Sequence, residues 1–218
     1  MFFMQVARFI FSVTVILFVI SCTKLEPKKV IASQHQKSAS LPKTVRKLLV
    51  IDIIPFKDMP VGLTKYIFSE FIKIYPNTRL LPPIPIPLSA YYPARARYRA
   101  DTLIRQLSAK TISGHVSLAL TTKDISYTKD KFADYGIMGL SYCPGKACVA
   151  SSYRLDTKNL KDQFFKIAIH ELGHTQGLPH CPVKECFMRD AEGKNHTDKE
   201  KFFCPQCKKV LIKSGWLL

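Results

Sequence analysis

Glycine is scarce among these 218 residues, with 9, and acids are half as numerous as bases, with 16 Asp and Glu against 33 Lys and Arg. So little glycine, beside 14 prolines and 47% hydrophobic residues, excludes a collagenous, low-complexity or disordered chain. No internal repeat is visible, which excludes a solenoid or a propeller. Seven cysteines are too few for a disulfide-dense mini-protein, and an odd number leaves one without a partner in the chain. The shortage of acid gives a net charge of +17, which suits nucleic acid, an anionic membrane surface or acidic substrates without choosing among them. What is present is a folding chain long enough for one sizeable core.

The first twenty residues hold a single charge, Arg8, followed by a largely apolar, uncharged run over residues 9–20. That run has the length of a signal-peptide core and falls short of the about 20 apolar residues of a membrane span unless the whole start is counted. An uncleaved anchor is the second reading. The run ends in Val19-Ile20-Ser21-Cys22, which resembles the lipobox of bacterial lipoproteins, with Cys22 as the lipidated residue. The expected organisation is a signal peptide over 1–21, a Lys-, Ser- and Pro-rich tether over 22–45 and one folded domain over 46–218.

Within the domain, residues 47–54 read as a buried strand closed by Pro55, and Pro60 opens a helical pattern of Leu63, Ile67, Phe71 and Ile74. Residues 78–81 suit a second strand, 94–110 a second helix, and 115–120 a third strand. Residues 135–140 and 148–153 suit a hairpin turned at Pro144-Gly145. The longest helical pattern covers 159–176. Thr197-Asp-Lys-Glu200 has the form of a capping box ahead of a short helix. Strands alternating with helices predict an α/β class with a layered core.

The chemistry concentrates in the longest helix. In His170-Glu171-Leu172-Gly173-His174 the two histidines sit one helical turn apart, so both imidazoles reach one ion. Glu171 is placed to hold a metal-bound water and take its proton. A catalytic zinc takes three protein ligands, and Gly177 can turn the chain so that His180 returns as the third. Beyond it, Cys181 and Cys186, then Cys204 and Cys207, form two pairs with the ligand set of a closed structural zinc site. Two disulfides are the alternative in an exported protein. Cys143 and Cys148 straddle the tight turn, and an oxidising compartment predicts a disulfide there, with free thiols as the alternative.

The run from His170 to Cys181, with Cys186-Phe187-Met188 and Cys204-Pro205-Gln206-Cys207, resembles the archaemetzincin family of metallopeptidases. The interval from Met188 to Cys204 is slightly shorter than the family's usual spacing. Fainter similarity reaches back to Ser89-Ala-Tyr-Tyr-Pro-Ala-Arg95, residues 120–124 and residues 135–139. The resemblance implies a metzincin-like zincin domain: a mixed twisted sheet, a long active-site helix and a C-terminal subdomain built on structural zinc. It further implies a catalytic zinc on His170, His174 and His180, Glu171 as general base, Met188 in a turn beneath the metal, and a second zinc on the four cysteines. Residues 146–152 would be the antiparallel edge strand that pairs with substrate backbone.

The expectation is therefore a two-zinc peptidase acting on peptides or proteins, monomeric and held by its lipid at a membrane outside the cytoplasm. A binding or regulatory lipoprotein that retains the metal without turnover is the alternative. Nucleic-acid binding is not expected, because export argues against it and Arg95 to Arg99, at helical spacing, reads as a solvated face.

Overall fold

The computed structural model describes residues 49–218; the signal segment, Cys22 and the tether lie outside the described residues. In chain order the elements are β1 (Val50–Pro55), α1 (Val61–Ile74), β2 (Thr78–Leu80), β3 (Tyr91–Tyr92), β4 (Arg97–Arg99), α2 (Ala100–Lys110), β5 (His115–Thr121), β6 (Ile125–Lys129), β7 (Phe132–Ile137), β8 (Gly139–Ser141), β9 (Ala147–Ser151), α3 (Leu160–Thr175) and α4 (Pro205–Lys213). The class is mixed α/β, as expected. One sheet has the order β2-β1-β5-β9-β8, with β8 alone antiparallel to its neighbour. A second sheet has the order β3-β4-β6-β7.

Period-two alternation divides the core into two layers. Along β5, Val116, Leu118 and Leu120 face α1, α3 and α4, whereas Ala119 faces α2. α1 begins directly after Pro60 and buries Leu63, Ile67 and Phe71 along one stripe. α3 lies on the same layer and buries Phe164, Ala168 and Leu172, all at 0% exposure. Burial of each of the larger two contributes roughly 2 kcal/mol, so the helix that carries the histidines is anchored through its opposite face.

Four local expectations are corrected. The edge strand beside the cleft is β8, not residues 146–152: β9 is buried along its whole length and pairs with β5 on one side and β8 on the other. Residues 135–140 are not one strand, because the chain changes sheets at Met138, with β7 pairing β6 and β8 pairing β9. The second helix starts only at Ala100. Ala96 takes a left-handed conformation, φ 50°, and the following Arg97 is held inside by Asp124 and Asp134 instead of lying on a solvated helical face. Finally, Thr197 caps no helix reaching Phe202; its hydroxyl and N–H both donate to Asn195 Oδ1, and the last helix begins at Pro205 with Cys204 at its cap position.

The expected Cys143–Cys148 disulfide is also absent. The β9 pleat turns Cys148 into the core beneath α3, fully buried, while Cys143 stays on the rim with its thiol donating to the Leu178 carbonyl at 3.4 Å.

Candidate active site

Helical periodicity and one glycine assemble the histidine cluster. His170 and His174 project from the same face of α3, and the helix ends where Gly177 adopts φ 89°, with the Leu178 N–H returning to the Gly173 carbonyl. This left-handed turn brings His180 back, and one ligand nitrogen from each of the three rings lies within 4.8 Å of the others. His170 Nδ1 contacts the Phe187 carbonyl and His174 Nδ1 the Leu178 carbonyl, each at 2.6 Å. A carbonyl only accepts, so both Nδ1 atoms carry the proton and both Nε2 atoms are bare. Burial, reinforced by its neighbour His174, pushes the His170 imidazole down to about 3, and burial lowers His174 as well, so both rings are neutral.

The two bare Nε2 atoms nevertheless stand 3.0 Å apart. Opposed lone pairs at that distance repel unless a cation lies between them. Nitrogens on a tetrahedral zinc are separated by roughly 3.3 Å, from bond lengths of about 2.0–2.1 Å. The donor set therefore fits zinc. His180 Nδ1 lies 3.2 Å from Asp190 Oδ2, an orienting partner that the sequence pattern did not reveal.

Glu171 is buried and faces the same cleft. Burial raises its carboxyl to about 7, against the opposing effect of the Ser141 hydroxyl, which donates to Oε2 at 2.7 Å. Gly139, two residues earlier on β8 and so on the same face, leaves the space the carboxylate occupies. A Cβ there would lie 2.6 Å from Glu171 Cγ and 2.7 Å from Cδ. Neither Gly139 nor Ser141 was singled out from sequence, because the contact crosses about thirty residues of chain. Met188 is fully buried, and a Cβ on Gly173 would collide with its Sδ, so the thioether packs against α3 between the two histidine positions.

The four remaining cysteines also converge. Cys181 and Cys204 Sγ are 3.6 Å apart, Cys186 and Cys207 Sγ 3.8 Å, and all four thiols lie within 4.8 Å of one another. These distances are far beyond a disulfide bond of about 2.05 Å and match the roughly 3.8 Å edge of a tetrahedron with zinc–sulfur bonds of about 2.3 Å. Burial opposes ionisation of Cys204, but hydrogen bonds from the Cys207 N–H and neighbouring thiols bring it down to about 7, toward the thiolate a metal needs. The shorter interval after Met188 is absorbed without separating the pairs.

A cavity of about 570 Å³ joins the histidines to β8, part of the second sheet and the segment after Met188. A family model described as peptidase family M54 matches residues 89–213, from just before β3 through α4 and across both clusters. The chain belongs to peptidase family M54. It is accordingly a zinc metallopeptidase of mixed α/β fold. Archaemetzincin of Halobacterium salinarum is 30% identical to this M54 chain over 176 residues, 74% of this chain and 99% of the relative. The crystal structure of archaemetzincin from Archaeoglobus fulgidus, complexed with malonate, superposes with a TM-score of 0.65 at 27% identity, covering 74% of this chain and 99% of that one. The fold is shared with archaemetzincin from Methanopyrus kandleri, at 24% identity and a TM-score of 0.65.

Proposed function

We propose that this M54 peptidase hydrolyses peptide bonds with Glu171 as general base, beside a zinc held by His170, His174 and His180. The observation that carries this reading is the placement of Glu171: a buried carboxylate one residue from the first histidine, facing the same cleft and held by Ser141. When bound, zinc supplies Lewis acidity, lowering the pKa of water and polarising a carbonyl. Glu171 takes the proton of the attacking water and passes it to the leaving amine. The outer edge of β8 offers backbone groups to an extended peptide, which would add as a further antiparallel or parallel strand beside the histidines. Cys181, Cys186, Cys204 and Cys207 hold a second zinc whose four thiolates leave no open position, so that site braces and does not react.

Cys181 follows His180 directly, so the thiolate site also fixes the third histidine. Outside the described residues, the lipobox-like Val19 to Cys22 supports a lipid-anchored protein working at a membrane surface beyond the cytoplasm, on peptide or protein substrates and as a monomer. The deciding experiment digests a peptide library with zinc-loaded protein and with Glu171→Gln, reading the products by mass spectrometry and the metal by elemental analysis. Cleavage should fall by at least about 100-fold in the variant at unchanged metal content, two zinc per chain. Equal cleavage by both proteins would overturn the general-base assignment, and one zinc or none would remove the bracing site.

A further inference from the structure

The cavity beside the histidines contains a carboxylate that the proposed mechanism does not use. Glu200 follows the short turn Thr197–Lys199, which is fastened to α3 where Lys166 Nζ donates to the Thr197 carbonyl at 2.9 Å. Its side chain lines the same cavity as His170 and Glu171, yet only 5% of the residue is exposed. Among the described residues, no hydrogen bond or ion pair reaches the Glu200 carboxylate. Burial pushes its carboxyl up to about 7, against the fields of Lys166 and Arg189, and a mostly buried carboxylate without a hydrogen bond is costly to keep ionised.

Of the surrounding cations, Lys166 and Arg154 are engaged elsewhere, while Lys129, Arg189 and Lys194 also line the cavity. The Lys166 ammonium is held by Asp162 Oδ2 at 2.7 Å as well as by the Thr197 carbonyl. Arg154, also in the cavity, binds Asp124 through Nε and Nη2 at 3.0 and 2.9 Å. Arg189 lines the cavity and its field reaches Glu200, but it makes no ion pair there among the described residues. A polar atom of the same cavity lining, His196 Nε2, is buried without a hydrogen-bond partner. A carboxylate facing the cavity without a hydrogen bond and an unsatisfied imidazole nitrogen describe a pocket completed by its ligand. An apolar side chain would leave both unsatisfied, and an acidic one would bring a second negative charge against Glu200.

We infer that the cleft selects substrates carrying an arginine or lysine side chain next to the scissile bond, and that Glu200 is the residue that reads it. This rests on the peptidase reading above. A side chain ending in a cation, entering the cavity from a backbone along β8, would make charge-assisted hydrogen bonds to the carboxylate.

Two measurements test it. In a peptide library, wild-type protein should favour Arg or Lys at one position flanking the cut by about tenfold over Gln, and Glu200→Gln should lose that preference while still cleaving neutral peptides. Paired peptides differing only in Arg or Gln are then titrated calorimetrically against zinc-loaded Glu171→Gln protein, with and without Glu200→Gln. The Arg peptide should bind about tenfold tighter, and only when Glu200 is present. No preference, or one that survives Glu200→Gln, overturns the assignment; a preference for acidic side chains would give the reading role to Arg189. If wild-type protein cleaves nothing, the peptidase mechanism fails while the binding comparison still decides the role of Glu200.

Discussion

Glu171 owes its position to two small residues on a different element. Ser141 holds one carboxylate oxygen, and Gly139 provides the space beside the other. Replacing Gly139 by alanine should push the carboxylate aside and lower kcat by about tenfold or more, since displacements near 1 Å at a reacting group can cost 100-fold. KM and the zinc content should change little; a kcat equal to wild type would show that Glu171 is not constrained by β8. The histidines, by contrast, are legible from their spacing alone, because the helical period puts residues 170 and 174 on one face whatever surrounds them. Asp190, Ser141, Gly139 and Glu200 are not legible in that way. The first three act through contacts with other segments of the chain, and Glu200 only by lining the cavity, and no local pattern announces either.

At the scale of elements, α3 was legible to within a residue because its apolar stripe, its terminal glycine and its length agree with one another. The edge of the sheet was not. A run such as Ala147-Cys-Val-Ala-Ser151 has small residues on both faces, and composition alone does not tell an interior strand from an edge; burial on both sides and two ladders do. Likewise the β7–β8 stretch reads as continuous, although the chain leaves one sheet for the other at Met138. The cysteine cluster ties the segment after α3 to the start of α4, so removing one thiol should release both. Cys204→Ser, or a zinc chelator, should lower Tm by about 10 °C or more, expose α4 to proteolysis, and weaken zinc binding at the histidines by about tenfold, because His180 loses its fixed neighbour. Calorimetry and metal titration read these separately; a variant with unchanged Tm would argue against a bracing role.

At the scale of the whole molecule, an ion-pair network places the second sheet beside the cleft. Arg97 pairs with Asp124 at 2.7 Å and with Asp134 at 2.9 Å, and Asp124 also receives Arg154. Asp124 joins β4 to the segment after β9 and is 8% exposed, so removing its charge leaves two guanidinium groups incompletely paired. Asp124→Asn should cost about 3 kcal/mol in urea unfolding, with the largest loss of amide protection in β4, β6 and β7. A loss below about 1 kcal/mol would mean that the sheet is held by its apolar contacts instead. Arg97 shows why charge was the least readable feature of the chain: a basic run over residues 95–99 has the composition of a solvated face, and only the folded structure shows one of its members half-buried and held between two acids.

The adjacency of His180 and Cys181 also bears on timing. A chain emerging from the ribosome can form α3 and present His170 and His174 early, but Cys181 has no partners at 3.6–3.8 Å until Cys204 and Cys207 have been made as well. The turn at Gly177 brings the third histidine round, but the thiol brace beside it is completed only once Cys207 has been made. A half-made copy therefore carries its three histidines without the brace that steadies the last of them.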